Sequence, residues 1–175
     1  MTLGAVRGIW YRAHDPRWAV DPESGAGAAV HGGRFNRKGV NALYLASSIE
    51  GAWAEAQQGL VFAARPKTVI AYQVDCTDVV DLRVTSEQAA WVVTESDLAC
   101  PWRLDVAEGR VPATWKLADR LRRADVAGIQ VASVAPGAPA GAHNLILFAW
   151  SRSKPHQVLA HDPHGDLPRN ANSWT

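Results

Sequence analysis

The chain has 175 residues, enough for one domain with a sizeable core, and we predict a single domain over residues 1–175. Charged residues make up 20% of the sequence and the net charge is +1, which argues against a surface built for nucleic acid or an anionic membrane. No signal peptide and no apolar run near the roughly 20 residues of a membrane span is evident, so a cytoplasmic protein is expected.

The first predicted strand is Gly8–Ala13, whose aromatic and β-branched residues favour extended structure and which carries Arg12 near its end. A long segment, His14–Gly33, follows it and is rich in glycine. Loops of this length are usually functional or mobile, and this one leads into Arg34 through a Gly-Gly pair. We therefore expect a flexible turn that presents a guanidinium, the group whose planar fork matches phosphate oxygens.

The next elements are a buried strand, Ala42–Ala46, and a helix directly after it. Ser47 and Glu50 have the spacing of a capping box, which predicts a helix from there to about Gln58, with Gly59 as its C-terminal stop. The i, i+3, i+4, i+7 pattern predicts a core-facing stripe of Ile49, Ala52, Trp53 and Ala56.

Glu55 lies on the edge of that predicted stripe, where a carboxylate would be half-buried. Taken alone, such a residue is more often a solvated flank of the helix. Its place between two arginine-bearing segments makes it a candidate catalytic group.

The second half of the chain alternates strands and helices without a regular βαβ order, which predicts an α+β fold. The predicted strands are Lys67–Val74, Asp78–Arg83, Gly128–Ser133, Asn144–Trp150 and a short one from Gln157. A short helix is predicted to begin with a Thr85–Gln88 capping box and end near Val93, and a long amphipathic helix is predicted to follow Pro112, with Trp115, Leu117, Ala118 and Leu121 facing inward.

The cysteines and histidines show no metal-ligand spacing. Cys76 and Cys100 are too few and too isolated for a zinc site, so we expect two reduced thiols, no disulfide and no metal.

Several polar residues stand in an order that resembles the RES domain, the toxin half of RES-Xre type II toxin–antitoxin systems. They are Arg12 after the first strand, the Gly33-Arg34-Phe35-Asn36 run, Tyr44 on a strand, Glu55 on the next helix, and Ser133 before Asn144. The resemblance extends over nearly the whole chain and is greatest to the ParT-like and MbcT-like subfamily. It implies a split β core similar to diphtheria-toxin-type ADP-ribosyltransferases, with NAD held between two small sheets.

By motif position, the resemblance also implies a role for each residue. Glu55 is expected to be the catalytic carboxylate, with Arg12 and Tyr44 beside it. The expected NAD-binding residues are Arg12, Arg34, Asn36, Tyr44, Ser133 and Asn144. Carboxylates stabilise oxocarbenium-like centres and guanidiniums bind pyrophosphate, so these residue types suit cleavage of the nicotinamide–ribose bond.

The implied function is a toxin that cleaves NAD and passes ADP-ribose to a protein, to phosphate or to water, and that an Xre-family antitoxin inhibits by occluding the cleft. Two alternatives stay open: a ribonuclease toxin, and a non-catalytic module that binds ADP-ribose. Single residues have plainer alternatives too. Arg12 could pair with Asp15 or Asp21, and Tyr44, Ser133 and Asn144 could be core or turn residues.

Overall fold

The computed structural model describes residues 2–57 and 65–172. The described residues form an α+β domain, as predicted. The strands are β1 (Gly4–His14), β2 (Leu43–Ala46), β3 (Thr68–Asp81), β4 (Gly128–Ala132), β5 (His143–Leu147) and β6 (His156–Ala160). The helices are α1 (Ala26–His31), α2 (Ile49–Gln57), α3 (Thr85–Ala90), α4 (Glu95–Leu98), α5 (Trp102–Ala107) and α6 (Ala113–Arg123), and a 3-10 turn covers Pro16–Trp18. None of the described helices is long and apolar enough to cross a membrane.

The strands form one sheet in the order β1-β2-β5-β4-β3-β6, and β1 also pairs with β3, so the sheet curls into a barrel-like core. All neighbouring strands are antiparallel except β3 and β4. The β1–β2 ladder contains fewer paired residues than the other ladders of the sheet. Within the described strands these two pair only at Tyr11 and Ala46, whereas β1 pairs with β3 along almost its whole length. We call the opening beyond the Tyr11–Ala46 pair the strand split.

Apolar side chains pack into two clusters that cover the two faces of this sheet. One cluster lies under α6 and contains Leu117, Leu121 and Ile146. The other fills the barrel-like interior and contains Trp10 and Tyr72. Because both faces are packed, the strands are fixed on either side of the strand split.

The structure corrects one strand prediction and one loop prediction. β3 is one continuous strand rather than the separate strands Lys67–Val74 and Asp78–Arg83. β1 pairs with β3 from Thr68 to Val79, and β4 pairs with it from Val79 to Asp81. The segment predicted as the loop His14–Gly33 contains the 3-10 turn and α1.

The helix that carries Glu55 begins one residue later than predicted and buries different side chains. Ser48 Oγ accepts the Gly51 N–H at 3.0 Å, while Ser47 Oγ accepts the His143 N–H, so the predicted Ser47–Glu50 capping box is wrong. The buried residues of α2 are Gly51, Ala52 and Ala54, and the predicted core residues Ile49 and Trp53 are exposed. Small residues allow this helix to pack closely on the sheet. The predicted helix end at Gln58 and Gly59 lies outside the described residues.

The other helix predictions hold in part. The Thr85–Gln88 capping box is wrong, because Gln88 donates its side-chain amide to Leu82 O, and the capping box observed is the one of Thr94 and Asp97 that opens α4. α6 follows Pro112 as predicted and buries Thr114, Leu117, Ala118 and Leu121, whereas Trp115 is half-buried.

Cys76 and Cys100 are free thiols.

Gly128 provides a test of the packing that fixes β4 against β5. A Cβ at this position would lie 2.7 Å from Ile146 O and 2.8 Å from Leu147 Cδ2, too close for atoms of a paired strand. Gly128→Ala should therefore lower the free energy of unfolding by about 1–3 kcal/mol, the usual cost of overpacking, as measured by urea denaturation. Gly4→Ala is the control, since a Cβ there would lie 3.6 Å from Val79 O. Equal stability of the two variants would contradict this packing.

Candidate active site

The strand split opens into a cavity of about 850 Å³. Tyr11, Arg12 and Ala13 of β1 line one side of it, and Tyr44, Leu45 and Ala46 of β2 line the other. The cavity therefore exists because these two strands separate after a single pair. The cavity lies at this separation within one sheet, rather than between two independent sheets.

Glu55 projects from α2 into this cavity and is held there by two donors. Its Oε1 accepts the Ser133 hydroxyl at 2.7 Å and the Asn144 side-chain amide at 2.6 Å. Among the residues that the structure describes, no hydrogen-bond donor or cation contacts the other oxygen, Oε2. The two donors fix the orientation of the carboxylate and leave Oε2 available to a ligand.

Ser133 and Asn144 meet at Glu55 because β4 and β5 are neighbouring antiparallel strands. Asn144 pairs with Val131 in this ladder, and Ser133 follows directly at the end of β4. Asn144 also pairs with Ala46 of β2. The sheet thus brings both donors to the end of β2 from which α2 leaves.

Arg12 lines the cavity, and its Nη1 donates to Ser24 O at 3.2 Å. Burial lowers the pKa of this guanidinium, while the neighbouring Tyr72 hydroxyl acts in the opposite direction, and an arginine remains charged at neutral pH in such a setting. Burial and the nearby Arg12 charge lower the pKa of His14 to about 4, so the imidazole is neutral at pH 7. The predicted alternative partner Asp15 instead binds Arg17.

The segment that contacts Arg12 is also bound by side chains from other parts of the chain. Tyr72 donates its hydroxyl to Pro22 O at 2.8 Å, and Trp150 Nε1 donates to Glu23 O at 2.7 Å. Arg12 donates to Ser24 O, so the three consecutive carbonyls of residues 22–24 each accept a hydrogen bond from a side chain in a different part of the chain. Arg12 is therefore held in place at the cavity wall.

The predicted flexible turn before Arg34 is also tightly bound. Trp115 Nε1 donates to Gly33 O at 2.8 Å, and a Cβ on Gly33 would lie 2.6 Å from the Tyr44 hydroxyl. Arg34 Nη1 donates to Leu98 O at 3.2 Å and to Cys100 O at 2.7 Å. The guanidinium consequently joins this turn to the chain between α4 and α5.

Tyr44 and Asn36 form the support behind that turn. The Tyr44 hydroxyl accepts the Phe35 N–H at 3.0 Å and donates to Asn36 Oδ1 at 2.7 Å. Burial raises the pKa of Tyr44, so its hydroxyl stays neutral. Asn36 is 2% exposed and donates its amide to three carbonyls, those of Ala28, Arg37 and Val40.

The structure brings most of the predicted site residues to this cavity. Those that line the cavity are Arg12, Arg34, Tyr44, Glu55 and Asn144. Ser133 is placed beside them through Glu55, and Asn36 stands behind Tyr44 as a support of the turn.

Sequence reasoning missed further lining residues with polar or aromatic groups, among them Arg17, Lys67, Trp102 and Arg103. They come from the 3-10 turn, the start of β3 and the first turn of α5. The neighbouring tryptophan and arginine at the start of α5 could have indicated a ligand-binding surface, but nothing in the sequence places that short helix beside the cavity. No group of His, Cys, Asp and Glu that could hold a metal is found within the described ranges.

Comparison with known proteins identifies the family of this chain. The family model of the RES domain matches residues 9–170. The chain belongs to the RES domain family. The match confirms the predicted resemblance. The matched range also includes each residue that lines the cavity.

Among solved structures, this RES domain is similar to a chain of the crystal structure of the M. tuberculosis MbcT-MbcA toxin-antitoxin complex. The two chains share 23% sequence identity with a TM-score of 0.62, and the match covers 91% of this chain and 84% of that chain. At this identity the likeness shows a common fold. A search of curated proteins found no match.

Proposed function

We propose that this RES domain protein is a toxin that cleaves NAD between nicotinamide and ribose. The observation that carries the proposal is the orientation of Glu55. Two donors hold its Oε1, Oε2 is left to a ligand, and the carboxylate faces a cavity that also contains Arg12 and Arg34.

The reaction needs a carboxylate at the ribose. As the bond from C1′ to the nicotinamide nitrogen breaks, its electron pair goes to the departing nicotinamide and positive charge develops on the ribose ring. A fixed carboxylate stabilises that charge and accepts a ribose hydroxyl proton in a hydrogen bond, as carboxylates do in glycoside cleavage. Glu55 Oε2 is the atom proposed for this contact.

The charge around the cavity suits a dinucleotide. Five cationic side chains line it, against the carboxylates of Asp15 and Glu55, although the net charge of the chain is only +1. The cations are Arg12, Arg17, Arg34, Lys67 and Arg103. Positive charge is therefore concentrated where the pyrophosphate would lie, and guanidiniums bind phosphate oxygens with two parallel hydrogen bonds.

The aromatic ring of Tyr44 is proposed to contact the nicotinamide end. Its hydroxyl is engaged with Phe35 and Asn36, so the part of this side chain that can meet a ligand is the ring. A flat, fixed ring favours stacking with another aromatic ring.

Ser133→Ala should reduce turnover without weakening NAD binding. The change removes one of the two donors that orient Glu55 and leaves the Asn144 amide in place. We expect kcat for nicotinamide release to fall about tenfold with KM unchanged within about twofold, the scale of one hydrogen bond to a charged group. Ser86→Ala, at an exposed position on α3, is the control. An unchanged kcat, or a loss confined to KM, would contradict this positioning role.

The proposed partner is an Xre-family antitoxin that occludes the cavity. The similar fold seen in a toxin-antitoxin complex supports such a partner, and a cavity of this size offers a concave surface to a protein segment. The acceptor of ADP-ribose is proposed to be a protein, phosphate or water.

Expression of the chain alone tests this function against its alternatives. Growth should stop while cellular NAD falls and RNA stays intact, and co-expression of the antitoxin should restore both growth and NAD. Cleaved RNA with normal NAD would favour a ribonuclease, and normal growth with ADP-ribose bound to the purified protein would favour a binding module. Purified protein with NAD, with and without phosphate or lysate, then identifies the acceptor by mass spectrometry of the labelled products.

A further inference from the structure

The first turn of α5 places an aromatic ring on the cavity wall with a cation over the ring. Trp102 and Arg103 both line the cavity, Trp102 is half-buried, and the Arg103 guanidinium lies 5.0 Å from the centroid of the Trp102 ring. Tryptophan faces and guanidinium planes are the surfaces on which proteins stack nucleic-acid bases.

This wall is fixed to the Arg34 turn through one carbonyl. Cys100 O accepts Arg34 Nη1 at 2.7 Å and the Trp102 backbone N–H at 2.8 Å. Arg34 Nη1 also reaches Leu98 O. Trp102 therefore lies next to Arg34, the guanidinium proposed to bind pyrophosphate, and Cys100 O joins the two residues.

The order of groups along the cavity follows from β2. Ala46, paired with Asn144, marks the end at which Glu55 is held. Tyr44 lies two residues back, about 6.6 Å along the strand, and its hydroxyl contacts the turn that carries Arg34. From Glu55 the wall thus runs past Tyr44 to Arg34 and then to α5.

A dinucleotide has the same order of chemical groups: the reacting ribose, the pyrophosphate, and then the adenosine. We propose that Trp102 and Arg103 form the subsite for the adenine base, which stacks on the Trp102–Arg103 wall. This inference rests on the proposed function for the direction of the ligand. The binding of a purine nucleotide to this wall does not itself require turnover.

Trp18 is the other tryptophan that lines the cavity, and it fits the base less well. A Cβ added to Gly27 would lie 3.5–3.7 Å from its ring atoms, so α1 packs against this indole and leaves less of the ring to a ligand.

The test compares ADP-ribose, which contains adenine, with nicotinamide mononucleotide, which lacks it. Trp102→Ala should weaken ADP-ribose binding by at least about fivefold in calorimetry, the lower end of what one stacked base contributes, and leave nicotinamide mononucleotide binding unchanged. Trp102→Phe should retain most of the affinity, and Arg103→Gln should weaken ADP-ribose binding several-fold. Trp53→Ala is the matched control, because Trp53 is a partly exposed tryptophan of α2 that does not line the described cavity.

The outcomes separate this subsite from the proposed function. Unchanged ADP-ribose affinity in a folded Trp102→Ala variant, or a loss produced by Trp18→Ala instead, overturns the subsite even if the wild type cleaves NAD. A selective loss in Trp102→Ala supports the subsite even if NAD is not cleaved. A wild type that binds neither ADP-ribose nor AMP overturns the subsite outright, and a thermal unfolding curve for each variant shows that it is folded.

Discussion

Glu55→Gln should lower kcat for nicotinamide release by about 100-fold or more, the scale of losing one positioned electrostatic group, while NAD binding remains. Glutamine has nearly the same shape as glutamate. Its side-chain oxygen can still accept from Ser133 and Asn144, and its amide takes the place of Oε2. The substitution therefore removes the negative charge and keeps the support, so the loss reports on charge stabilisation of the ribose.

The matched control is Glu50→Gln, an exposed carboxylate in the first turn of the same helix. It should retain wild-type turnover and wild-type toxicity. Calorimetry with NAD shows whether Glu55→Gln still binds the substrate. Wild-type nicotinamide release by a folded Glu55→Gln variant would disprove the proposed role of this residue.

Arg12→Lys should weaken NAD binding by about tenfold or more, although the positive charge is kept. A hydrogen bond to a charged group is worth roughly 1.5–3 kcal/mol, and lysine lacks the planar pair of donors that matches a phosphate. The substitution also removes the contact from Nη1 to Ser24 O, which holds the loop at the cavity wall.

Arg7→Lys is the control for this change. Arg7 lies on the same strand but is exposed and pairs with Asp75 on the surface. Titration of each variant with NAD at two salt concentrations gives the binding constants and their electrostatic component. If Arg12→Lys binds NAD as tightly as Arg7→Lys does, Arg12 is not a phosphate ligand.

Sequence patterns predicted the α+β class, most strands and five of the residues that line the cavity, Arg12, Arg34, Tyr44, Glu55 and Asn144. They succeeded where a feature depends on local chemistry, as for the apolar β2 or the long helix after Pro112. Glu55 was a candidate because of its place between two arginine-bearing segments, since periodicity alone favours a solvated residue at the edge of a helix face.

The errors arose where packing between distant segments decides the outcome. Small residues of α2 are buried and Trp53 is not, because the face of a helix that meets the sheet is set by tertiary packing and not by its apolar periodicity. The Gly-Gly pair before Arg34 looked flexible, yet Gly33 is needed because the Tyr44 hydroxyl fills the space of a side chain. Trp102 and Arg103 join the site through Arg34, a contact across more than 60 residues of sequence.

The most direct test of the central claim is a time course of purified protein with NAD, followed by mass spectrometry. We expect NAD to disappear as nicotinamide appears in equal amount, with the ADP-ribose part recovered on protein, on phosphate or as free ADP-ribose. We also expect the Glu55→Gln variant to leave NAD intact under the same conditions. NAD that stays intact with folded wild-type protein, or nicotinamide release that persists at the wild-type rate in Glu55→Gln, would contradict the claim.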